Sequence, residues 1–578
     1  MVICHLTFVI GLISCSNPFV VKDKVLAPLL PPPSIGKIHD PQEAKVDKQA
    51  RGYVLEGLKA AVVGHKQEAA GHYLAAAMIT GRQAGHSKTE PVHTFALACF
   101  LKLDQEVFPR GAWKASPQSW ATPLGKITLH WGQSGGGKLS PQPYDALIPC
   151  FLRKEKAFAT EVRRAGAGLA VTAREPQLNF TDASKWHRFP AGQTHPATLV
   201  LQRGGDNHHA TLSLYDTVNT NAIQLNGRET PLEQDFTMPL AELLSASDPI
   251  RAEHLGLFHA DKWLKASGIY FLDPYDPAKI PVVFIHGLDS SPAAWAKMVN
   301  YLRADPELRK RYQFWFVYYP SGLAIPFSHR MVRDELKNTI EQCAKRGGSD
   351  NLNKMVVIGH SMGGLISRTL ITSSGEKISK ALIDGSVEKL PLSPELRRVV
   401  DKSLRFERVP QIRRVVFMNT PHRGSDLAVN PVIHGIFSMI LSPPMMILTG
   451  AKRLITLDMN FLKELSTGSH YFELTSMDSL SPDSKFLKAL RSLPLPVDVP
   501  YHSVIGVRGA IELHGSSDGV VPYSSAHLPG AASELPLPYG HSSQESPEAA
   551  AEVTRILKLH LRSGNSVVKV PGKTKKAS

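Results

Sequence analysis

Ser361 has neighbours that would expose and activate a serine hydroxyl. It lies between Gly359 and Gly363, after the apolar run 355–358 and before residues 365–370, where apolar positions recur at helical spacing. A serine at a sharp turn from strand to helix is pushed toward a positive φ, and side chains two positions before and after it would collide. The pattern predicts a nucleophile elbow. The alternative is a glycine-rich turn with an incidental serine.

Two further motifs follow predicted buried strands. His286-Gly287 comes after the apolar run 281–285, and the motif 419–425 (NTPHRGS) comes after the run 415–418. Together with the elbow, and in this order, they resemble the α/β-hydrolases of the lipase and esterase branch, including triacylglycerol-lipase-like and inositol-deacylase-like proteins. The resemblance runs from about residue 269 to about residue 562. It does not extend to the residues before about 250.

The resemblance implies a catalytic triad of Ser361, Asp518 and His541. A serine hydroxyl needs a base that takes its proton and a carboxylate that orients this base. In the family the acid and then the base follow the serine, the acid in a loop after a strand and the base in a loop before the last helix. The remaining candidates for these two roles are Asp384, Asp426, Asp478, His527, His422 and His360.

Two of the remaining histidines are expected to have other roles. His422 precedes the acid in the chain, so it is expected to pack under the site, and His360 is expected to point away from the serine hydroxyl. The resemblance further implies an oxyanion hole built from the backbone N–H groups of Met362 and Leu288.

No metal or other cofactor is implied. His195, His208 and His209 with Asp206 match no recognised metal-ligand spacing.

The segment 426–478 has an apolar, methionine-rich centre around Pro443-Pro444. As an insertion after a sheet strand it would lie near the active site as a lid, and such a surface suits acyl chains. Helical packing against the core explains the same pattern equally well, because periodicity does not separate a lid from a buried helix.

Strand and helix patterns alternate from about residue 255, which predicts an α/β fold with a mostly parallel sheet and helices on both faces. Before it, alanine-rich helical spacing gives way to short strands typical of a β-sandwich. The predicted segments are 1–15 (signal and lipobox), 16–50 (linker), 51–110 (helical region), 120–250 (small β-rich domain), 255–565 (hydrolase domain) and 566–578 (disordered basic tail).

The beginning of the sequence predicts export. Residues 2–14 are largely apolar, too few to span a bilayer and suited to a signal peptide, although no positive charge precedes them. Leu12-Ile13-Ser14-Cys15 resembles a bacterial lipobox, which implies lipidation of Cys15 and contact with a membrane surface. We therefore expect a membrane-anchored lipoprotein or a periplasmic protein.

The composition is that of a soluble globular protein, with 20% charged and 43% hydrophobic residues in a chain of 578. The net charge of +15 comes with no nucleic-acid recognition signature, so we expect no nucleic-acid partner. The five cysteines are scattered and form no CxxC pair, and Cys343 is expected to be buried.

These observations predict a serine hydrolase that cleaves hydrophobic or lipid-like carboxylic esters through an acyl-enzyme intermediate. The same triad would serve an amidase, a phospholipase or an acyltransferase. A non-catalytic binding lipoprotein that retains the hydrolase fold is the alternative from another class.

Overall fold

The computed structural model describes residues 21–23, 38, 40–81, 90–176, 187–189, 192–206, 208–247, 267–383, 387–390, 394–425, 445–448, 454–457, 476–509 and 513–563. The chain divides into two compact units, 1–249 (unit 1) and 250–578 (unit 2). The predicted signal segment 1–15 and basic tail 566–578 lie outside the described residues.

Unit 1 combines helices with a mixed sheet. Its helices are α1 (Pro41–Val62), α2 (Lys66–Thr80), α3 (Glu90–Val107) and α4 (Thr237–Ser247). Its strands are β1 (Lys22–Asp23), β2 (Gln118–Thr122), β3 (Gly125–Trp131), β4 (Lys138–Leu139), β5 (Ala146–Pro149), β6 (Arg153–Lys154), β7 (Arg163–Arg164), β8 (Leu169–Arg174), β9 (Thr194–Arg203), β10 (His209–Asp216), β11 (Ala222–Leu225), β12 (Arg228–Pro231) and β13 (Gln234–Asp235).

Helix α1 begins at Pro41, so the predicted linker 16–50 is wrong for its last residues. Asp40 is the N-cap, and its carboxylate accepts a hydrogen bond of 2.8 Å from the Gln42 amide. Proline suits the first helical position because the amide it lacks has no partner there. The last residues of the predicted linker are therefore part of a helix start.

Within its described residues, the β-rich region is built on one seven-stranded sheet with helices on one face and three two-stranded pairs beside it, rather than on two large sheets packed as a sandwich. Its main path is β2-β3-β10-β9-β8-β5, with β4 paired to β10. Leu199 and Leu201 of β9 share a hydrophobic core with α1, α2 and α3. Val200, on the opposite face, packs with residues of the hairpin β11–β12. The alanine-rich helices bury one face of the seven-stranded sheet, so no second sheet is required to cover that face.

Unit 2 alternates strands and helices. Its strands are β14 (Gly268–Phe271), β15 (Ile280–Ile285), β16 (Tyr312–Tyr318), β17 (Met355–His360), β18 (Ile412–Met418), β19 (Met445–Leu448), β20 (Leu454–Leu457), β21 (Tyr501–Gly506) and β22 (Ser533–Leu537). Its helices are α5 (Ala296–Ala304), α6 (Pro306–Arg311), α7 (Ile325–Ala344), α8 (Ser349–Leu352), α9 (Met362–Ile371), α10 (Lys377–Leu382), α11 (Pro394–Leu404), α12 (Ser476–Leu480), α13 (Lys485–Arg491), α14 (Tyr523–Ala526) and α15 (Pro547–Ser563).

The central sheet of unit 2 has the order β14-β16-β15-β17-β18-β21-β22. Only the edge pair β14–β16 is antiparallel, and the other five pairs are parallel. The mostly parallel sheet is confirmed, and so are the strands predicted from the apolar runs 281–285, 355–358 and 415–418, while the edge strands β14 and β22 were not predicted. In parallel sheets the carboxyl ends of the strands meet at one edge, where ligands bind.

The predicted lid 426–478 falls mostly outside the described residues. Within it the structure describes the antiparallel pair β19–β20 and the beginning of α12. None of the helices in the described part of the chain is long and apolar enough to cross a membrane. Cys343, on α7, is buried, as expected for a cysteine in a helical stretch.

Candidate active site

The serine elbow has the strand, turn and helix that the sequence predicts. Strand β17 ends at His360, Ser361 has φ +53° and ψ −124°, and α9 begins at Met362. A non-glycine residue in this region of φ and ψ is strained by roughly 1–3 kcal/mol. A Cβ on Gly359 would lie 2.5 Å from the Gly363 carbonyl oxygen, so only glycine permits this close approach.

The three residues of the predicted triad meet, although 180 positions separate Ser361 from His541. The Ser361 hydroxyl donates to His541 Nε2 at 2.9 Å. His541 Nδ1–H donates to Asp518 Oδ2 at 2.7 Å. This arrangement leaves Nε2 without a proton, ready to accept the one on the serine.

Asp518 is fixed by backbone donors as well as by the histidine. Its second oxygen, Oδ1, accepts hydrogen bonds from the amides of Val520 at 2.8 Å and Val521 at 2.7 Å. The side chain is buried. Three N–H donors thus compensate the burial of the carboxylate, which a buried charge requires.

Five loops that follow neighbouring strands supply the site. Strand β15 leads to the His286 loop, β17 to Ser361 and β18 to Asn419, while the loops after β21 and β22 carry Asp518 and His541. The site therefore lies at the carboxyl edge of the sheet, where the loops after parallel strands converge.

The loop 286–289 lies directly against the serine. A Cβ on Gly287 would be 3.0 Å from Ser361 Cβ. The Tyr319 hydroxyl donates to the His286 carbonyl at 2.8 Å, and the Asp289 amide donates to Ser321 Oγ at 3.1 Å. These bonds fix both sides of Leu288, whose amide was assigned to the oxyanion hole.

The second assigned donor is the amide of Met362. As the first residue of α9 it has an N–H group that the helix does not use. Burial lowers the pKa of His286 to about 4, so this histidine is neutral at pH 7 and adds no charge beside the loop. Met362 and Leu288 thus lie on the two segments next to the serine, as the oxyanion assignment requires.

Two further side chains, those of His360 and Asn419, contact the backbone of His541. His360 Nε2–H donates to the His541 carbonyl at 2.7 Å, so its ring contacts the histidine loop. Asn419 Nδ2 donates to the same carbonyl at 2.6 Å. Their positions at the ends of β17 and β18 were the only sequence signal for this contact.

The other candidates lie elsewhere. His527 bonds to Glu534 at 2.8 Å, and His422 packs edge-on against Phe417 with ring centroids 4.8 Å apart. Burial, with Arg368 and Arg423 nearby, lowers the pKa of His422 well below its usual value, in agreement with a packing role. Asp478 lies on α12. Asp384 and Asp426 fall outside the described residues.

Two of the three histidines considered for a metal site are paired with carboxylates. His195 bonds to Glu175 at 3.1 Å, and His209 bonds to Asp206 at 2.6 Å. His208 is exposed beside that pair. Among the residues with described positions, no three His, Cys, Asp or Glu side chains form a group suited to a metal ion.

The strand order, the strained serine and the Ser361–His541–Asp518 hydrogen bonds define unit 2 as an α/β-hydrolase. In sequence, residues 277–490 match a family model described as "Putative serine esterase (DUF676)". That range contains Ser361 and ends before Asp518 and His541. No curated protein matches the chain.

Solved structures resemble half of this chain. The mature form of a Bacillus licheniformis lipase is 19% identical with a TM-score of 0.30, over 50% of this chain and 97% of its own. A metagenomic carboxyl esterase is 16% identical with a TM-score of 0.27, over 50% of this chain and 77% of its own. A lipase-esterase related protein from Clostridium acetobutylicum is 14% identical with a TM-score of 0.25, over 50% of this chain and 99% of its own.

Proposed function

We propose that unit 2 hydrolyses carboxylic esters through a covalent acyl-enzyme intermediate. The observation that carries this proposal is the continuous chain of hydrogen bonds from Ser361 through His541 to Asp518, in which each atom has the donor or acceptor role that nucleophilic attack needs. The match of residues 277–490 to a serine esterase family supports the same reaction class.

In the first half of the reaction Ser361 Oγ attacks the ester carbonyl carbon while His541 Nε2 takes the hydroxyl proton. The carbonyl oxygen becomes an oxyanion, which accepts hydrogen bonds from the amides of Met362 and Leu288. The carbonyl then re-forms, the bond to the alkoxy oxygen breaks, and His541 returns the proton to the departing alcohol. The acyl group remains on Ser361.

In the second half a water molecule replaces the alcohol. His541 takes a proton from the water as it attacks the acyl carbon, and the same oxyanion donors act again. His541 then protonates Ser361 Oγ, which releases the carboxylic acid. Asp518 keeps its charge throughout and stabilises the imidazolium that forms twice in each cycle.

We further propose that the substrate is hydrophobic or lipid-like. The support is the apolar, methionine-rich sequence between residues 426 and 478, which follows β18 in the chain. Apolar lining is what acyl chains require of a binding site.

The test is hydrolysis of p-nitrophenyl esters from acetate to palmitate by the full chain. We expect activity that Ser361→Ala removes, with a burst of p-nitrophenol equal to the enzyme concentration if deacylation is slower. Activity that survives Ser361→Ala would refute the assignment. Adding methanol separates a hydrolase, which forms mainly the acid, from an acyltransferase, which forms mainly the methyl ester.

A further inference from the structure

The backbone carbonyl of His541 is held by two side chains that the proposed mechanism does not use. His360 Nε2–H donates to it at 2.7 Å and Asn419 Nδ2 at 2.6 Å. Both donors are buried, and they lie at the carboxyl ends of the neighbouring parallel strands β17 and β18. A carbonyl oxygen has two lone pairs, and two side-chain donors from neighbouring strands therefore fix this peptide group in two directions.

The donor on His360 is fixed by its surroundings. Burial, with His541 nearby, lowers the pKa of His360 to about 3, so the ring is neutral and carries one N–H group at neutral pH. That proton lies on Nε2, which faces the carbonyl, while buried Nδ1 has no hydrogen-bond partner within the described residues. His360 therefore acts as a permanent donor and not as a second base.

Asn419 connects the histidine loop to two strands. Its Oδ1 accepts from the Gly506 amide at 2.7 Å, at the end of β21, and its Nδ2 also donates to Ser543 Oγ at 2.9 Å. The residue itself follows β18 with φ +48°, a conformation that asparagine tolerates better than most residues. One side chain thus ties residues 541 and 543 to the centre of the sheet.

We propose that His360 and Asn419 are positioning residues that jointly hold the His541 backbone, so that its ring reaches Ser361 and Asp518 at the same time. The bond to Asp518 fixes the imidazole end of His541, and the two bonds to the carbonyl fix its backbone end. With both ends held, Nε2 lies 2.9 Å from Ser361 Oγ before substrate binds. This proposal deepens the proposed function and depends on it for the kinetic assay.

The variant His360→Leu removes one donor to the His541 carbonyl. Asn419→Gly removes the other donor together with the bonds to Ser543 and Gly506. Glycine accepts the positive φ of position 419, so the backbone there is not strained by the change. We expect each variant to lower kcat about 10- to 100-fold, the loss that a displacement near 1 Å causes, with KM within about twofold of wild type. His360→Gln restores an N–H donor and is expected to recover most of the loss.

His560→Leu is the matched control. His560 is also a buried histidine whose Nε2–H donates to a backbone carbonyl, that of Lys354, at 2.7 Å, but it lies on α15 and contacts no residue of the triad. We expect its thermal stability to fall as in His360→Leu while kcat stays within about twofold of wild type. Equal losses of kcat in the two variants would show a general folding effect and overturn the proposal.

A second readout separates this proposal from the ester assignment. Labelling of Ser361 by a fluorophosphonate requires the Ser361–His541 pair but no particular substrate. If wild type is labelled but cleaves no ester, the proposed function fails, and slower labelling of His360→Leu and Asn419→Gly still supports the positioning role. If wild type cleaves esters and both folded variants match it in kcat and labelling rate, the positioning role is overturned and the function stands.

Discussion

Replacing Asp518 by asparagine tests the hydrogen-bond directions of the site in a single atom exchange. Oδ1 accepts from the Val520 and Val521 amides, and Oδ2 accepts from His541 Nδ1–H. An asparagine has only one side-chain oxygen. Because two backbone donors demand that oxygen, the NH₂ group must face His541, where it can only donate.

The consequence is a change of histidine tautomer. His541 Nδ1 must then accept, so its proton moves to Nε2, where it faces Ser361 Oγ at 2.9 Å and prevents that nitrogen from taking the serine proton. The same exchange in a serine protease lowers kcat about 10⁴-fold, which corresponds to about 5.5 kcal/mol of transition-state stabilisation. We expect a similar loss here, with KM little changed.

The assay is steady-state hydrolysis of a short p-nitrophenyl ester, with circular dichroism and thermal unfolding as folding controls. Asp478→Asn, at the rival acid on α12, is the matched variant and is expected to keep full activity. The reasoning would be refuted if folded Asp518→Asn kept more than about one tenth of wild-type kcat, or if Asp478→Asn lost as much as Asp518→Asn.

Acidification is expected to destabilise unit 2 through His502 and His560, because burial lowers the pKa of each to about 4 beside the Arg414 guanidinium. The unfolded chain binds their protons near pH 6.5, so the free energy of unfolding falls by roughly 1.4 kcal/mol per pH unit per histidine from about pH 6.5 to about pH 4. Urea unfolding between pH 7 and pH 5 measures this, and a slope unchanged in His560→Gln would contradict it. Ser321→Ala removes the side-chain oxygen that accepts from the Asp289 amide, and it is expected to lower kcat about tenfold because the Leu288 loop is then held less firmly. Steady-state kinetics measures this, with KM as the internal control. A kcat equal to that of the wild type would contradict the prediction.

Sequence patterns predicted those elements whose features arise within a few neighbouring residues. The apolar runs 281–285 and 355–358 became β15 and β17 because parallel strands are buried on both faces and read as continuous hydrophobic segments. The elbow was predictable because the close approach at Gly359 arises within a few residues of chain. The placement of Asp518 and His541 came from a family resemblance, since nothing local to either residue indicates that they meet.

Contacts made through space had no such signal. Asn419 and His360 reach the His541 carbonyl only because β17 and β18 are neighbours and the last loop folds back over their ends. Edge strand β22 was missed because its sequence, Ser533–Leu537, contains a proline and only two leucines. The start of α1 lies within the predicted linker 16–50, because the N-cap Asp40 and the first-turn Pro41 are a short local signal inside a proline-rich segment.

The strained serine also explains why the neighbouring strand belongs to the site. Ser361 can keep φ +53° only if other bonds oppose its relaxation, and its amide donates to the Met418 carbonyl at 2.8 Å while its carbonyl accepts from Gly364 at 2.9 Å. The residue after Met418 is Asn419, which holds the His541 carbonyl. The end of β18 therefore restrains the nucleophile through one residue and the base through the next. A shift of this strand would displace both partners of the proton transfer together.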